Sequence, residues 1–236
     1  MVDCPGISND GYKVILDGIR LTGPGNQDAN LLLSRLQQKV QFDLAAMQLE
    51  TTPQTLVVPC VSRAPKDFSE FNPTVVDSLN GHRVLVEIWG NIEAKAGVTY
   101  QQAELHYTLV PISLYDQFVV PQYGFVASYR QRLGGRPDEL VKLFGEFSDL
   151  KAYVSIAAGV KSLKEHHYDQ AYHCFCRAGS MLGQAPPGMN PAVRTSLLNY
   201  LSQKVGDTFT QARADKSVKS SLGLDGMRPM CPGALP

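Results

Sequence analysis

The apolar residues of this chain follow one pattern before the run Gly134-Gly135-Arg136-Pro137 and a different pattern after it. Ahead of the run, short apolar stretches and alternating positions indicate strands, whereas the residues after it, up to about Ala214, recur at helical spacing. Glycine and proline interrupt both kinds of element, so the run is typical of a domain boundary. We therefore expect an α/β domain at 1–133, a helical domain at 134–214 and a flexible tail at 215–236.

Strands and helices are predicted to alternate in the first domain. A helix at 28–49 carries an apolar stripe from Leu32 to Leu44, which should lie across a sheet. Apolar and polar residues alternate strictly from Val98 to Ile112, which predicts a strand with one buried and one solvent-exposed face. We expect this strand to pair antiparallel with the apolar strand before it. The fold class expected is an α/β (α+β) sandwich with a mixed sheet, followed by a small all-α domain. The predicted order is strand 12–21, helix 28–49, strand 55–61, helix 73–79, strand 83–92 and strand 98–112.

Aromatic residues are concentrated between Tyr115 and Tyr129, and Pro121 interrupts them. This stretch predicts an edge strand or an extended connector. Exposed strand edges and aromatic anchors are features that protein partners bind. The candidate partner-binding residues here are Phe118, Tyr123 and Phe125.

Small and aromatic residues stand at fixed spacing in the helical domain. Gly159 and Ala171 are twelve positions apart, Phe175 follows four later and Ala178 three later. Two antiparallel helices approach closely only where small residues face each other. With Tyr168-Asp169 at the start of the second helix, the pattern at 153–186 resembles a tetratricopeptide repeat.

The repeat resemblance implies a partner-binding groove on the first helix of the hairpin. Its lining would include Tyr153, Ile156 and Lys161. The sequence departs from the family where Ser162 occupies a position that usually holds an aromatic residue, and no second copy follows. A single repeat cannot bury its apolar face alone, so it should dock on another part of the chain or on a partner.

The α/β half, at 12–112, carries a weaker likeness. Its run Val84-Leu85-Val86-Glu87-Ile88-Trp89-Gly90 leads into a hairpin. This order is similar to the α/β domains of curli-secretion and flagellar-assembly lipoproteins and to the N-terminal domain of the Tol-associated propeller protein. The likeness implies a bacterial assembly module without an active site.

Thiol and imidazole groups cluster on the second helix of the hairpin, and Zn²⁺ prefers such ligands. Helix geometry places His173 and Cys174 about 100° apart and Cys174 and Cys176 about 200° apart, so we expect no metal site and read both cysteines as small core residues. The ligands considered are His166, His167, His173, Cys174 and Cys176.

An alternative function places a ligand-sensing or catalytic site in the α/β domain, with Cys60 at a strand end. His82 or His106 could then supply a base, and a pocket would form at the strand ends. The Gly23-Pro24-Gly25-Asn26 turn lacks the residues of a nucleotide-binding fingerprint. The other residues of this alternative site are Asp67 or Asp77 as orienting carboxylates, and Gly25, Asn26 and Arg63 as pocket lining.

Charge and cysteine usage bound the remaining expectations. The 22 basic and 22 acidic residues cancel, which does not favour a nucleic-acid partner. The five irregularly spaced cysteines are not a disulfide framework, so a cytoplasmic location is expected, or a periplasmic one if a leader has been removed. We expect no cofactor and assign no catalytic residue. The function predicted is that of a non-enzymatic scaffold or adaptor subunit that binds protein partners or a second copy of itself.

Overall fold

A computed structural model describes residues 12–22, 38, 56–60, 79, 81–95, 99–111, 126–132, 148–184, 191–217 and 231. The chain divides into two compact units, Met1–Glu146 and Phe147–Pro236. The boundary predicted at residue 133 lies outside the described residues. Each unit is considered by itself below.

Five strands form one sheet in the first unit. They are β1 (Lys13–Thr22), β2 (Leu56–Cys60), β3 (Val84–Lys95), β4 (Thr99–Leu109) and β5 (Val126–Arg132). Their order across the sheet is β2-β1-β3-β4-β5. β1 runs parallel to both β2 and β3, whereas β3–β4 and β4–β5 are antiparallel pairs.

The centre of this sheet is mostly apolar. Val14 of β1 pairs with Val86 of β3, and residues 84–88 are all buried, with Glu87 as the one charged residue among them. The hairpin predicted from alternation is confirmed, since β3 and β4 pair antiparallel with Ile88 opposite Tyr107. Within β4, burial is described only for the last residue, Leu109, which is buried, so the predicted solvent exposure of one face stays a prediction.

Three helices form the described part of the second unit: α1 (Ser148–Lys164), α2 (Tyr168–Gly183) and α3 (Pro191–Ala214). α2 packs against both of the others and lies between them. Its residues Ala171, Phe175, Ala178 and Leu182 are fully buried, and their spacing of three or four places them on one face. None of the helices that the structure describes is long and apolar enough to cross a bilayer.

The α/β sandwich predicted from the sequence is wrong for the part of the chain that is described. A sandwich needs a layer of helices against the sheet. Among the described residues, the helices with defined bounds all belong to the second unit, and more residues lie in helices than in strands. The stripe from Leu32 to Leu44 was the reason to expect a helical layer, and periodicity alone does not reveal what covers an apolar face. Of that segment the structure describes only Gln38, and of the predicted helix 73–79 only Leu79.

Candidate functional site

The residues expected to pack the helical hairpin lie together between α1 and α2. Tyr168, Ala171, Phe175 and Ala178 are buried. A Cβ atom built on Gly159 would lie 2.6 Å from Cε1 of Phe175, closer than real side chains approach. Glycine is therefore required on α1 for the Phe175 ring to occupy its place.

The expected groove residues are mostly covered. Tyr153 and Ile156 are 0% exposed, so a partner cannot touch either side chain in this structure. Lys161 is half-buried, and its Nζ lies 3.4 Å from Oε1 of Glu165, one turn later. Their partner-binding role stays a prediction, and so does that of Phe118, Tyr123 and Phe125, which lie outside the described residues.

A polar clasp joins the start of α2 to the residue that follows α3. Its three side chains are His166, Tyr168 and Asp215, and sequence reasoning did not single out Asp215. Tyr168 Oη donates to Oδ2 of Asp215 over 2.7 Å. His166 Nδ1 lies 2.9 Å from the same Oδ2 and 2.8 Å from Tyr168 Oη. Three polar atoms thus meet in a triangle whose donors converge on one carboxylate oxygen.

The second oxygen of Asp215 is also occupied. Ser217 donates to Oδ1 through its backbone N–H, at 3.0 Å, and through its hydroxyl, at 2.5 Å. These donors stabilise the charged carboxylate, so hydrogen bonds from Ser217, Tyr168 and His166 hold the pKa of Asp215 well below its usual range. The same hydrogen bond to Asp215, together with burial and the negative charge, raises the pKa of Tyr168.

The backbone supports this arrangement. The loop between α1 and α2 carries His166 at a φ of 61°, in the left-handed region that few non-glycine residues adopt. Around it, the N–H of His167 donates to the carbonyl of Ser162 over 2.8 Å, which closes the turn. Strained backbone positions persist only where surrounding contacts determine them, and the bond to Asp215 is one such contact.

The clasp contains the orienting half of an acid–base site. A carboxylate that binds Nδ1 of a histidine fixes the ring tautomer, and the His166 side chain is 62% exposed. Catalysis needs in addition a nucleophile or substrate group at Nε2, whereas the polar contacts described for the His166 ring involve Nδ1. These hydrogen bonds tie the start of α2 to the residue after α3.

The opposite end of α2 is held by α3 as well. Arg194 Nε donates to the carbonyl of Leu182 over 2.6 Å, and Nη2 donates to that of Gly183 over 3.0 Å. A guanidinium at this position satisfies carbonyls that lack helical partners and lies at the negative end of the helix dipole. α3 thus runs antiparallel to α2 and is fastened at both ends.

A disulfide bond joins α2 to a residue much later in the chain. Cys176 is bonded to Cys231, which lies 55 positions later in the sequence, and their Cα atoms are 5.1 Å apart. Cys176 was expected to be a small core residue; it is buried but also disulfide-bonded, which could not be foreseen because neither cysteine spacing nor local pattern signals a partner so far away. Cys174 is a buried free thiol, and burial raises its pKa to about 11.

The bond also removes one of the thiolates considered as a zinc ligand. Cys176 is committed to Cys231, and the imidazole of His166 is committed to Asp215. Among the described residues, no three histidine, cysteine or acidic side chains are grouped as metal ligands.

The sheet separates Cys60 from His106, one of its two candidate bases. Cys60 pairs with Asp17, Asp17 with Trp89, and Trp89 with His106, so Cys60 and His106 are three strands apart. At the usual interstrand spacing, their backbones are separated by about 14 Å. His106 is thus too far away to act as a base for Cys60. The predicted lining residues Gly25, Asn26 and Arg63 lie outside the described residues, and so do the candidate orienting carboxylates Asp67 and Asp77.

His82 has a structural role in the first unit. Its carbonyl accepts a 3.0 Å hydrogen bond from Nζ of Lys13, and the N–H of Lys13 donates to the carbonyl of Arg83. Lys13 is 1% exposed, and Arg83 has a φ of 58°. The buried lysine therefore holds the tight turn that precedes β3.

No known protein-family model matches the sequence, and a comparison with curated proteins finds no significant relative.

Proposed function

We propose that the chain is a non-enzymatic interaction or scaffold subunit of a bacterial assembly, with a tetratricopeptide-like helical hairpin as its binding module. The observation that carries this proposal is the close approach of Gly159 to the Phe175 ring. Packing through a small residue is the way in which helical repeats bring their two helices together.

The arrangement of the three helices supports a repeat-like module. α2 contacts α1 on one side and α3 on the other, so the helices form a row. A row of helices can be extended at its ends, which is how repeat proteins build binding surfaces. The polar groups of the second unit serve this architecture, because the clasp and Arg194 both tie helix ends.

The partner we propose is a protein, or a second copy of the chain. Net charge of zero gives no long-range attraction to a nucleic acid, so recognition through surface shape and short-range contacts is favoured. The Cys176–Cys231 bond favours the oxidising periplasm over the cytoplasm as the compartment.

Light scattering coupled to size-exclusion chromatography tests the proposal on the purified full chain. We expect either self-association that increases with protein concentration or a stable complex with a purified candidate subunit. A monomer at every concentration that binds none of the candidate subunits would contradict the proposal.

A charge reversal then locates the surface. Lys161→Glu should weaken that association about tenfold if the predicted groove is used. Lys151→Glu is the matched control, since it makes the same charge change about 15 Å away on α1. Equal effects of the two variants would place the contact elsewhere.

A further inference from the structure

The disulfide closes a covalent loop that contains the whole of α3. Cys176 lies in the third turn of α2 and is 7% exposed, whereas Cys231 is half-buried. The loop runs from α2 through α3 and the clasp residue Asp215 before it returns to α2.

Other contacts hold α3 in place without this bond. Arg194 binds the last carbonyls of α2, and Asp215 binds Tyr168 at the first residue of α2. Between these two ends, Leu197, Leu201 and Val205 are buried along one stripe of α3. Opening the disulfide therefore leaves α2 and α3 attached through these contacts.

We propose that Cys176–Cys231 is a reversible redox tether, which holds the chain at Cys231 against α2 when oxidised and releases it when reduced. The reductant is a dithiol. One of its thiolates attacks Sγ of Cys231, the more exposed partner, forms a mixed disulfide and displaces Cys176 as a thiolate that takes up a proton. The second thiol of the reductant then displaces Cys231, so two electrons pass from the dithiol to the protein and the dithiol leaves as a disulfide.

Cys174 does not compete in this exchange. It lies two positions before Cys176, about 200° around the helix, so the two sulfurs leave α2 on nearly opposite sides. It is 3% exposed, and the raised pKa keeps it as a thiol, which is a poor nucleophile. The tether therefore has a defined pair of sulfurs.

Peptide mapping under non-reducing conditions tests whether this pair forms. Trypsin releases residues 165–177, with Cys174 and Cys176, and residues 220–236, with Cys231. We expect the two peptides to be joined, with fragmentation placing the link on Cys176. Separate peptides, or a link on Cys174, would overturn the proposal.

Hydrogen exchange in the full chain tests the release. After reduction with dithiothreitol, the amide of Cys231 should exchange at least about tenfold faster, while those of residues 191–214 should remain protected relative to the unfolded chain. Cys231→Ser should show the fast exchange without reductant, and oxidised dithiothreitol should restore slow exchange in the wild type. Cys174→Ala is the control and should keep the full redox response.

Two results would contradict the tether. Equal amide exchange rates at Cys231 in the oxidised and reduced protein would show that the disulfide does not restrain this part of the chain. Loss of protection throughout α2 and α3 on reduction, together with loss of the helical circular dichroism signal, would show a purely structural disulfide.

Discussion

The hydroxyl of Tyr168, at the first residue of α2, donates a 2.7 Å hydrogen bond to Asp215, the residue after the last one of α3. The two residues are 47 positions apart in sequence. This contact aligns the start of one helix with the end of the next. It also brings the His166 imidazole and two donors from Ser217 to the same carboxylate.

Removal of the Tyr168 hydroxyl should loosen this junction. Tyr168→Phe deletes the donor to Oδ2 of Asp215 and leaves the buried ring in place. We expect a fall in Tm on the order of 5 °C in thermal unfolding followed by circular dichroism. Tyr172→Phe, one turn further along α2, removes the same atom from a tyrosine outside the clasp and should lower Tm less. Equal losses in the two variants would deny the clasp a role in stability.

Acid should weaken the clasp through Asp215. The folded-state pKa of this carboxyl is lowered from 3.8, chiefly by the hydrogen bonds from Ser217 and Tyr168, so its contribution is complete above the unfolded-state pKa and is lost as pH falls toward the folded-state value. When Tm is measured between pH 7 and pH 2, it should therefore decrease once the pH is lower than about 4. Asp215→Asn should lower Tm at pH 7 and show a shallower fall in acid. If the decrease of Tm at low pH were identical in Asp215→Asn and the wild type, that decrease would come from other carboxylates.

Gly159 should tolerate no side chain. In Gly159→Ala the added methyl group would meet the fully buried Phe175 ring at 2.6 Å, and the resulting overpacking should lower the unfolding free energy by about 1–3 kcal/mol, less the gain in helix propensity. Gly183→Ala is the matched control, because nothing lies within 4 Å of a Cβ there. Urea unfolding of both variants gives the comparison. A Gly159→Ala protein as stable as the control would mean that the helices have room to separate.

Reduction should destabilise the helical unit without unfolding it at room temperature. A loop of 55 residues corresponds to about 4 kcal/mol of chain entropy as an upper figure. The urea midpoint of the circular dichroism signal at 222 nm should therefore be lower for Cys231→Ser than for the oxidised wild type, and the same as for the reduced wild type. Different urea midpoints for Cys231→Ser and the reduced wild type would indicate that other cysteines contribute to the loss of stability on reduction.

Local patterns predicted the strands that pair with a neighbour in sequence, with starts within one residue and ends within three. The run at 83–92 corresponds to β3 at Val84–Lys95, and the alternating segment at 98–112 corresponds to β4 at Thr99–Leu109. Both follow from side-chain alternation and a short turn, which act within a few residues. The sandwich, by contrast, required knowledge of what covers each face, and that is a property of the whole chain.

The clasp and the disulfide were beyond sequence reasoning for a related reason. Tyr168 was expected to begin a helix and Asp215 to begin a tail, and no periodic pattern connects them across 47 positions. Cys231 likewise lies in a segment without periodicity. What the sequence did contain was the small-residue spacing, because the close approach of Gly159 to Phe175 imposes it on both helices.

The disulfide also determines how mechanical load would enter the second unit. Tension applied to the chain beyond Cys231 passes through the sulfur atoms directly into the middle of α2. Residues 177–230, which include α3, then lie outside the load path and form a branch that bears no force. With the bond open, the same tension would act first on the end of α3 and peel it from Asp215 toward Arg194. Force spectroscopy on the two redox states should thus record an extension that is shorter in the oxidised chain by the length of that branch.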